Sequence, residues 1–225
     1  MKKIGIVVAH ATECENLLIK LGKCEIINLY GDFFVRKFAL NDKEIYFAES
    51  NAGEIRAAIT TQILIDRFNI DCVINFGVAG GLKKGTRGNI YIVTGVGHYD
   101  FDTSAIDDVV RGQYEIFDSA VIGTDNYLIE TAKRLLPTAD YAVCASGDKF
   151  ISDPEFKEGL IKDFSASVCE MEAAGVLITA KLANIPCAVI KIVSDDDVDA
   201  SAYRAFFENM TDALDDLIVR LIAAI

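Results

Sequence analysis

Apolar runs of strand length recur along the chain: IGIVVA (4–9), EIYFAES (44–50), CVINFGVAG (72–80), NIYIVTGVG (89–97), YAVCAS (141–146), SVCEM (167–171) and CAVIKIVSD (187–195). Several are continuous Val/Ile runs rather than alternations, the pattern of strands covered on both faces. Between them apolar residues recur at helical spacing. ECENLLIKLG ends on Gly22 as a natural C-cap; EIRAAITTQILIDRF, DNYLIETAKRLL and AAGVLITAKLA follow, and AYRAFFENMTDALDDLIVRLIAAI closes the sequence. Strands alternating with helices predict an α/β sandwich. No repeat, low-complexity stretch or Pro/Ser-rich linker interrupts the pattern, so residues 1–225 are read as one domain.

Composition narrows the classes. With 52% hydrophobic residues, 25% charged and only 3 Pro, the sequence is that of a large-cored globular protein rather than a disordered one. The net charge of −12 argues against nucleic acid or an anionic membrane as partner, since both need a basic face. The opening MKKIGIVVAHATE has too short an apolar run for an export signal or a membrane span and reads as a first buried strand. The six cysteines (Cys14, Cys24, Cys72, Cys144, Cys169, Cys187) form no C-x-x-C pair, and there are two histidines; free, mostly buried thiols in a reducing cytoplasm are expected, and no zinc site.

In open α/β folds chemistry gathers beyond the carboxyl ends of strands. Carboxylates follow three separate strands: Glu13 in HATE, Glu170 and Glu172 in EME, and Asp195 in SDDD. Three acids in one cleft without a cation need a ligand or raised pKa values. For Asp195, burial at a strand mouth and the neighbouring Asp196 and Asp197 should both raise the pKa, which suits a proton donor near neutrality. The glycine-rich GVAGGL (77–82) is neither G-x-G-x-x-G nor a P-loop; it marks either a tight turn at a strand end or a close approach of the backbone to a ligand. SDDDVD (194–199) lacks the glycine and closing glutamate of a calcium loop, so no metal is expected there. No serine stands in nucleophile-elbow spacing, and His98 in HYDFD reads as structural or interfacial. Phe150 in SGDKF, with Tyr203 and Phe206 after Asp195, could stack on a flat ligand or pack in the core.

In this order, IGIVVAHATE, INFGVAGGL, ASGDKFI, VCEMEAAG and IVSDDD resemble the nucleoside phosphorylase/hydrolase superfamily, and most of all the 5′-methylthioadenosine/S-adenosylhomocysteine nucleosidases. The resemblance implies a three-layer αβα sandwich around a central mixed, partly barrel-like sheet. It implies that Asp195, beside the substrate-binding Ser194, protonates N7 of a purine, that Glu13 activates the attacking water, and that Glu172 holds the ribose hydroxyls. Met171 would pack against the sugar, Phe150 would stack on the base with the Ile151 backbone reading its edge, and Tyr203 would lie over the 5′ substituent. Glu170, two residues before Glu172, is expected to face away.

The chain departs from that family in places. Val78 stands where the family has a serine in the glycine motif. Ala52, within Asn51-Ala52-Gly53, stands where it has Gly-Ile-Gly, and Lys191 replaces an arginine. These positions leave the 5′ group open. Phosphorolytic relatives bind phosphate with arginines on the loops after the first strand and before the glycine motif; here those loops read HATE and NF, so hydrolysis is favoured. A futalosine-type hydrolase, a purine nucleoside phosphorylase and a catalytically silent nucleoside binder are the alternatives. The resemblance further implies a homodimer through HYDFDTSAI (98–106), a small-molecule nucleoside substrate and no cofactor or metal.

Overall fold

A computed structural model describes residues 1–196 and 212–225; Tyr203, Phe206 and Asp197 lie outside the described residues. The strands are β1 (Lys3–Val8), β2 (Glu25–Asn28), β3 (Phe34–Leu40), β4 (Lys43–Glu49), β5 (Cys72–Gly81), β6 (Ile90–His98), β7 (Val121–Gly123), β8 (Asp140–Ser146), β9 (Val168–Glu170) and β10 (Cys187–Asp195). The helices are α1 (Glu15–Leu21), α2 (Glu54–Phe68), α3 (Asn126–Leu135), α4 (Pro154–Phe164), α5 (Ala173–Leu182) and α6 (Asp212–Ala224). A single 3₁₀ turn, Ala11–Glu13, joins β1 to α1.

The strands form one mixed sheet in the order β10-β6-β8-β9-β5-β1-β4-β3-β2, and a further pairing of β10 with β5 closes five of them into a ring. The remaining wing, β1-β4-β3-β2, stays open. This is the mixed, partly barrel-like sheet expected. Strand alternation sorts the core into two faces. Ile4, Ile6 and Val8 of β1 join Ile74 and Phe76 of β5 against α1, α3 and α6. Val7, Val73, Val189 and Val193 face α2 and α5 instead. With helices on both faces, the central strands need no polar alternation, which is why they read as continuous apolar runs.

One strand determines where the site lies. In its first half β5 runs parallel to β1, with Ile4 opposite Cys72 and Val7 opposite Asn75. In its last residues it pairs antiparallel with β9, Gly80 opposite Cys169 and Gly81 opposite Val168. On its other side it follows β10 along most of its length. Between Asn75 and Gly80, β1 has left and β9 has not yet arrived, so the sheet forks. The segments that leave the fork are the ones whose acids the sequence singled out.

Candidate active site

The cleft at the fork has a cavity volume of about 100 Å³ and is lined, among others, by Glu13, Val78, Phe150, Met171, Glu172 and Asp195. Ala52, Ile151 and Ser194 also line it, so every described residue expected to bind substrate is brought to one cleft. The three acids are nearly inaccessible: Glu13 is 4% exposed, Glu172 6% and Asp195 3%. Phe150, by contrast, is 51% exposed at the cleft mouth.

Glu13 ends the 3₁₀ turn after β1 and points into the fork, where its Oε2 accepts the Val78 N–H at 3.1 Å. Burial pushes its carboxyl up to about 7, against the opposing effects of the Val78 hydrogen bond and the Lys191 charge. The glycine motif is strand, not turn: Gly77 to Gly81 belong to β5. A Cβ on Gly77 would fall 2.4 Å from Glu13 Oε2, and its φ of +150° also disfavours a side chain. A Cβ on Gly80 would come 3.4 Å from Cys169 Sγ and 3.6 Å from Asp195 Oδ2. Of the two readings of GVAGGL, the tight turn is not realised, and what comes close to Gly77 is the Glu13 carboxyl.

Asp195 closes β10. Ser194 Oγ donates to its Oδ1 at 2.6 Å. Burial raises its pKa, with the Asp196 charge adding to it and the Ser194 hydrogen bond, Lys157 and Arg87 opposing. Asp196 itself turns to the loop before β6, accepting the N–H groups of Thr86 at 2.7 Å and Arg87 at 3.1 Å.

The two glutamates of EME divide the work. Glu170 Oε2 accepts the N–H of Glu172 at 3.1 Å and of Ala173 at 3.0 Å, so it is the anion at the start of α5. The carboxylate is also paired with Lys191 Nζ at 2.7 Å, and both side chains are almost wholly buried. Burial alone would raise the Glu170 pKa, but the Lys191 charge and the hydrogen bonds outweigh it and hold the group below the usual carboxylate range. With the helix start already served, Glu172 is released to the cleft, and its Oε1 accepts the Gly53 N–H at 3.1 Å. Burial and then the Glu170 charge push Glu172 up to about 7. Glu170, expected to face away from the ligand, is among the residues lining the cleft, with its carboxylate engaged by Lys191, Ser146 and the start of α5.

Four further residues matter here: Lys191, which the sequence marks as a departure from the family, and Glu54, Ser146 and Asp148, to which it gives no role. Lys191 is a buried cation whose charge reaches Glu13 and Glu172, so these acids are not without a cation as expected. A lysine inside CAVIKIVSD was the available signal, because a fully buried ammonium requires a buried anion. Glu54, Ser146 and Asp148 complete the packing of two helix starts. Ala174 N–H donates to Ser146 Oγ at 3.0 Å, Gly175 N–H to Glu54 Oε2, and Glu54 N–H to Asp148 Oδ1 at 2.8 Å. The backbone donors at the starts of α2 and α5 are therefore met by side chains from other elements, Glu54 and Ser146 buried and Asp148 exposed. His98 Nδ1 lies 2.6 Å from Tyr114 Oη, a structural pairing outside the cleft lining.

A closed five-strand mixed ring with an acid-lined cleft beside it defines the nucleoside phosphorylase/hydrolase class of α/β proteins. The chain belongs to the phosphorylase superfamily, whose family description matches residues 3–224. It is 34% identical over 230 residues to the 5′-methylthioadenosine/S-adenosylhomocysteine nucleosidase of Staphylococcus saprophyticus, covering 99% of this chain and 100% of that one. It is 35% identical over 215 residues to an aminodeoxyfutalosine nucleosidase of Helicobacter pylori, covering 92% and 91%. The crystal structure of the Helicobacter pylori 5′-methylthioadenosine/S-adenosylhomocysteine nucleosidase with butyl-thio-DADMe-Immucillin-A superimposes with a TM-score of 0.92 at 30% identity, over 100% of this chain and 99% of that one.

Proposed function

We propose that this cleft hydrolyses the N-glycosidic bond of 5′-methylthioadenosine, S-adenosylhomocysteine or 5′-deoxyadenosine, releasing adenine and the 5′-substituted ribose. The observation that carries the reading is the convergence of Glu13, Glu172 and Asp195, all buried, on one cleft with Met171 and Phe150. Asp195 in its acid form gives its proton to N7 of the base. The C1′–N9 electron pair then departs into a neutral purine, and positive charge grows on C1′ and the ring oxygen. Glu172 holds the ribose hydroxyls and stabilises that charge in a site shielded from water. Glu13, ionised, takes a proton from the water that attacks C1′. Atoms balance with one water consumed; Asp195 ends ionised and Glu13 protonated, and exchange with solvent restores both.

Water rather than phosphate is the nucleophile. A phosphate dianion would meet the Glu13 charge, and Lys149, the lysine that lines the cleft, is paired with Asp100 at 2.8 Å. The similarity to an aminodeoxyfutalosine nucleosidase favours a second reading, a futalosine-type hydrolase acting on a nucleoside with a different 5′ group or base. In either case the whole chain acts as one domain. It works as a homodimer in the cytoplasm: Ile55 and Ile59 on α2, with Ile106, Val110 and Ile116 in the segment after β6, are exposed apolar residues that a second copy would cover. Among the described residues no helix is long and apolar enough to cross a membrane.

The test is base release from each of these nucleosides and from aminodeoxyfutalosine, with and without phosphate, followed by chromatography. Free adenine without phosphate supports hydrolysis, and the best substrate names the 5′ group. Release only with phosphate overturns the choice of nucleophile. Light scattering reads the oligomeric state.

A further inference from the structure

Behind the cleft wall a single hydroxyl touches two carboxyl groups. Ser146 Oγ lies 2.5 Å from Glu170 Oε1 and also contacts Glu54 Oε1. It accepts the Ala174 N–H at 3.0 Å. A serine owns one hydroxyl proton and cannot donate to both carboxyls. Lys191 and the N–H groups of Glu172 and Ala173 hold Glu170 ionised, so the serine proton points to Glu170. The contact to Glu54 Oε1 then requires a proton that belongs to Glu54. The other oxygen, Oε2, faces the Gly175 N–H, which suits the carbonyl side of an un-ionised acid. The chain of bonds runs from Glu54 as donor to Ser146, and from Ser146 to the Glu170 carboxylate on Lys191.

We infer that Glu54 is a positioning residue held in its protonated form: as a neutral acid it fastens the start of α2 to the start of α5 and so keeps the Gly53 N–H on Glu172. The inference rests on the reading of Glu172 as the ribose-holding carboxylate. Glu54 is not among the residues that line the cleft, so it acts through Glu172 and not on the substrate. Packing supports the fastening role. A Cβ on Gly175 would fall 2.3 Å from the Glu54 carbonyl oxygen, so the two helix starts approach as closely as glycine allows. The charged and titratable groups around Glu54 are Glu170 on β9, Lys191 on β10, Glu172 before α5, Cys144 on β8, Asp148 after β8 and Tyr114 in the segment after β6. Among these described residues Lys191 is the cation, and it is paired with Glu170. Burial, and then the Glu170 charge, push the Glu54 carboxyl up to about 8. Its ionisation would set two anions against one hydroxyl and force the helix starts apart.

Glu54→Gln tests this, because the amide NH₂ replaces the acid OH as donor to Ser146 and the amide oxygen still receives Gly175. Adenine release is followed from about pH 6 to about pH 10 in the wild type, Glu54→Gln and Glu54→Ala. Every variant that keeps Asp195 should share the alkaline decline set by that acid; above about pH 8 the wild type should lose a further factor of about ten per pH unit, and Glu54→Gln should lack that further decline. Glu54→Ala should lose activity at every pH, with the loss divided between KM and kcat. An alkaline decline in Glu54→Gln identical to the wild type overturns the inference. A second readout needs no turnover: the infrared difference between wild type and Glu54→Gln at neutral pH should contain the carbonyl band of a protonated carboxylic acid, fading as pH rises. No such band overturns the inference even if the enzyme is active. A band that titrates in a protein that cleaves no nucleoside leaves the Glu54 proton in place and overturns the functional reading instead.

Discussion

Gly77→Ala isolates the contact that aims Glu13. The new methyl would lie 2.4 Å from Glu13 Oε2, so the carboxyl must move by about 1 Å to reach ordinary van der Waals separation. That shift breaks the Val78 N–H bond, now 3.1 Å, which as a bond to a carboxylate is worth about 1.5–3 kcal/mol. Alanine at φ +150° adds a backbone cost of roughly 1–3 kcal/mol. The sum is a destabilisation of about 2.5–6 kcal/mol, measurable by urea unfolding. In a Glu13→Ala background the clashing oxygen is gone and only the backbone part remains. The double-mutant cycle should therefore show a coupling of about 2 kcal/mol, larger at about pH 8 than at about pH 6 because Glu13 ionises near 7. In the single variant adenine release should fall at least about a hundredfold, the usual effect of displacing a catalytic group by that distance. A coupling below about 0.5 kcal/mol, or near-normal turnover in Gly77→Ala, would refute the claim that this glycine exists to admit Glu13.

Three further outcomes follow from the same geometry. Asp195→Asn should cost about 10³-fold or more in kcat with an unchanged unfolding midpoint, since the amide fills the same space and has no proton to give N7. Glu13 and Glu172, both pushed up to about 7, take up protons as pH falls, so kcat/KM should decline below about pH 7; because the folded state holds those protons more tightly than the unfolded chain, unfolding free energy should instead be greatest on the acid side of that window and fall as pH rises through 7. Lys191→Met strands the Glu170 charge in the core and should destabilise by about 3–5 kcal/mol, and adding Glu170→Gln should return more than half of that, as measured by denaturant unfolding.

The three acids were legible in the sequence because each sits just beyond a strand-like apolar run, where an α/β topology collects its chemistry. The helices at 54–68, 126–135 and 173–182 were legible too, from spacing alone. Strands β2 and β3 were not. β2 exposes most of its residues and carries no buried alternation. In β3 the cations Arg36 and Lys37 break the pattern, and their partners Glu49 and Glu44 lie on the neighbouring strand, so only the pairing explains them. Helix α4 went unread although Asp153 and Pro154 announce it; Asp153 Oδ1 accepts the Glu155 N–H at 2.9 Å. The buried network escaped for another reason. Nothing local links Glu54, Ser146, Glu170 and Lys191; four separate elements bring them together.

The fork in β5 also dictates an order of events. Its partners come from residues 3–8, 168–170 and 187–195, and Val73 faces Cys187 across more than half the chain. Such distant pairings are slow to form compared with helices and hairpins. Until β10 has docked, Lys191 is absent from Glu170, and the start of α5 lacks the charge balance that holds its cap. Glu13 and Glu172 would then lack the Lys191 charge that favours their ionised forms. A nascent or half-refolded chain can therefore possess most of its helices and still have no catalytic centre, and recovered activity should mark the last strand to arrive, not the first collapse.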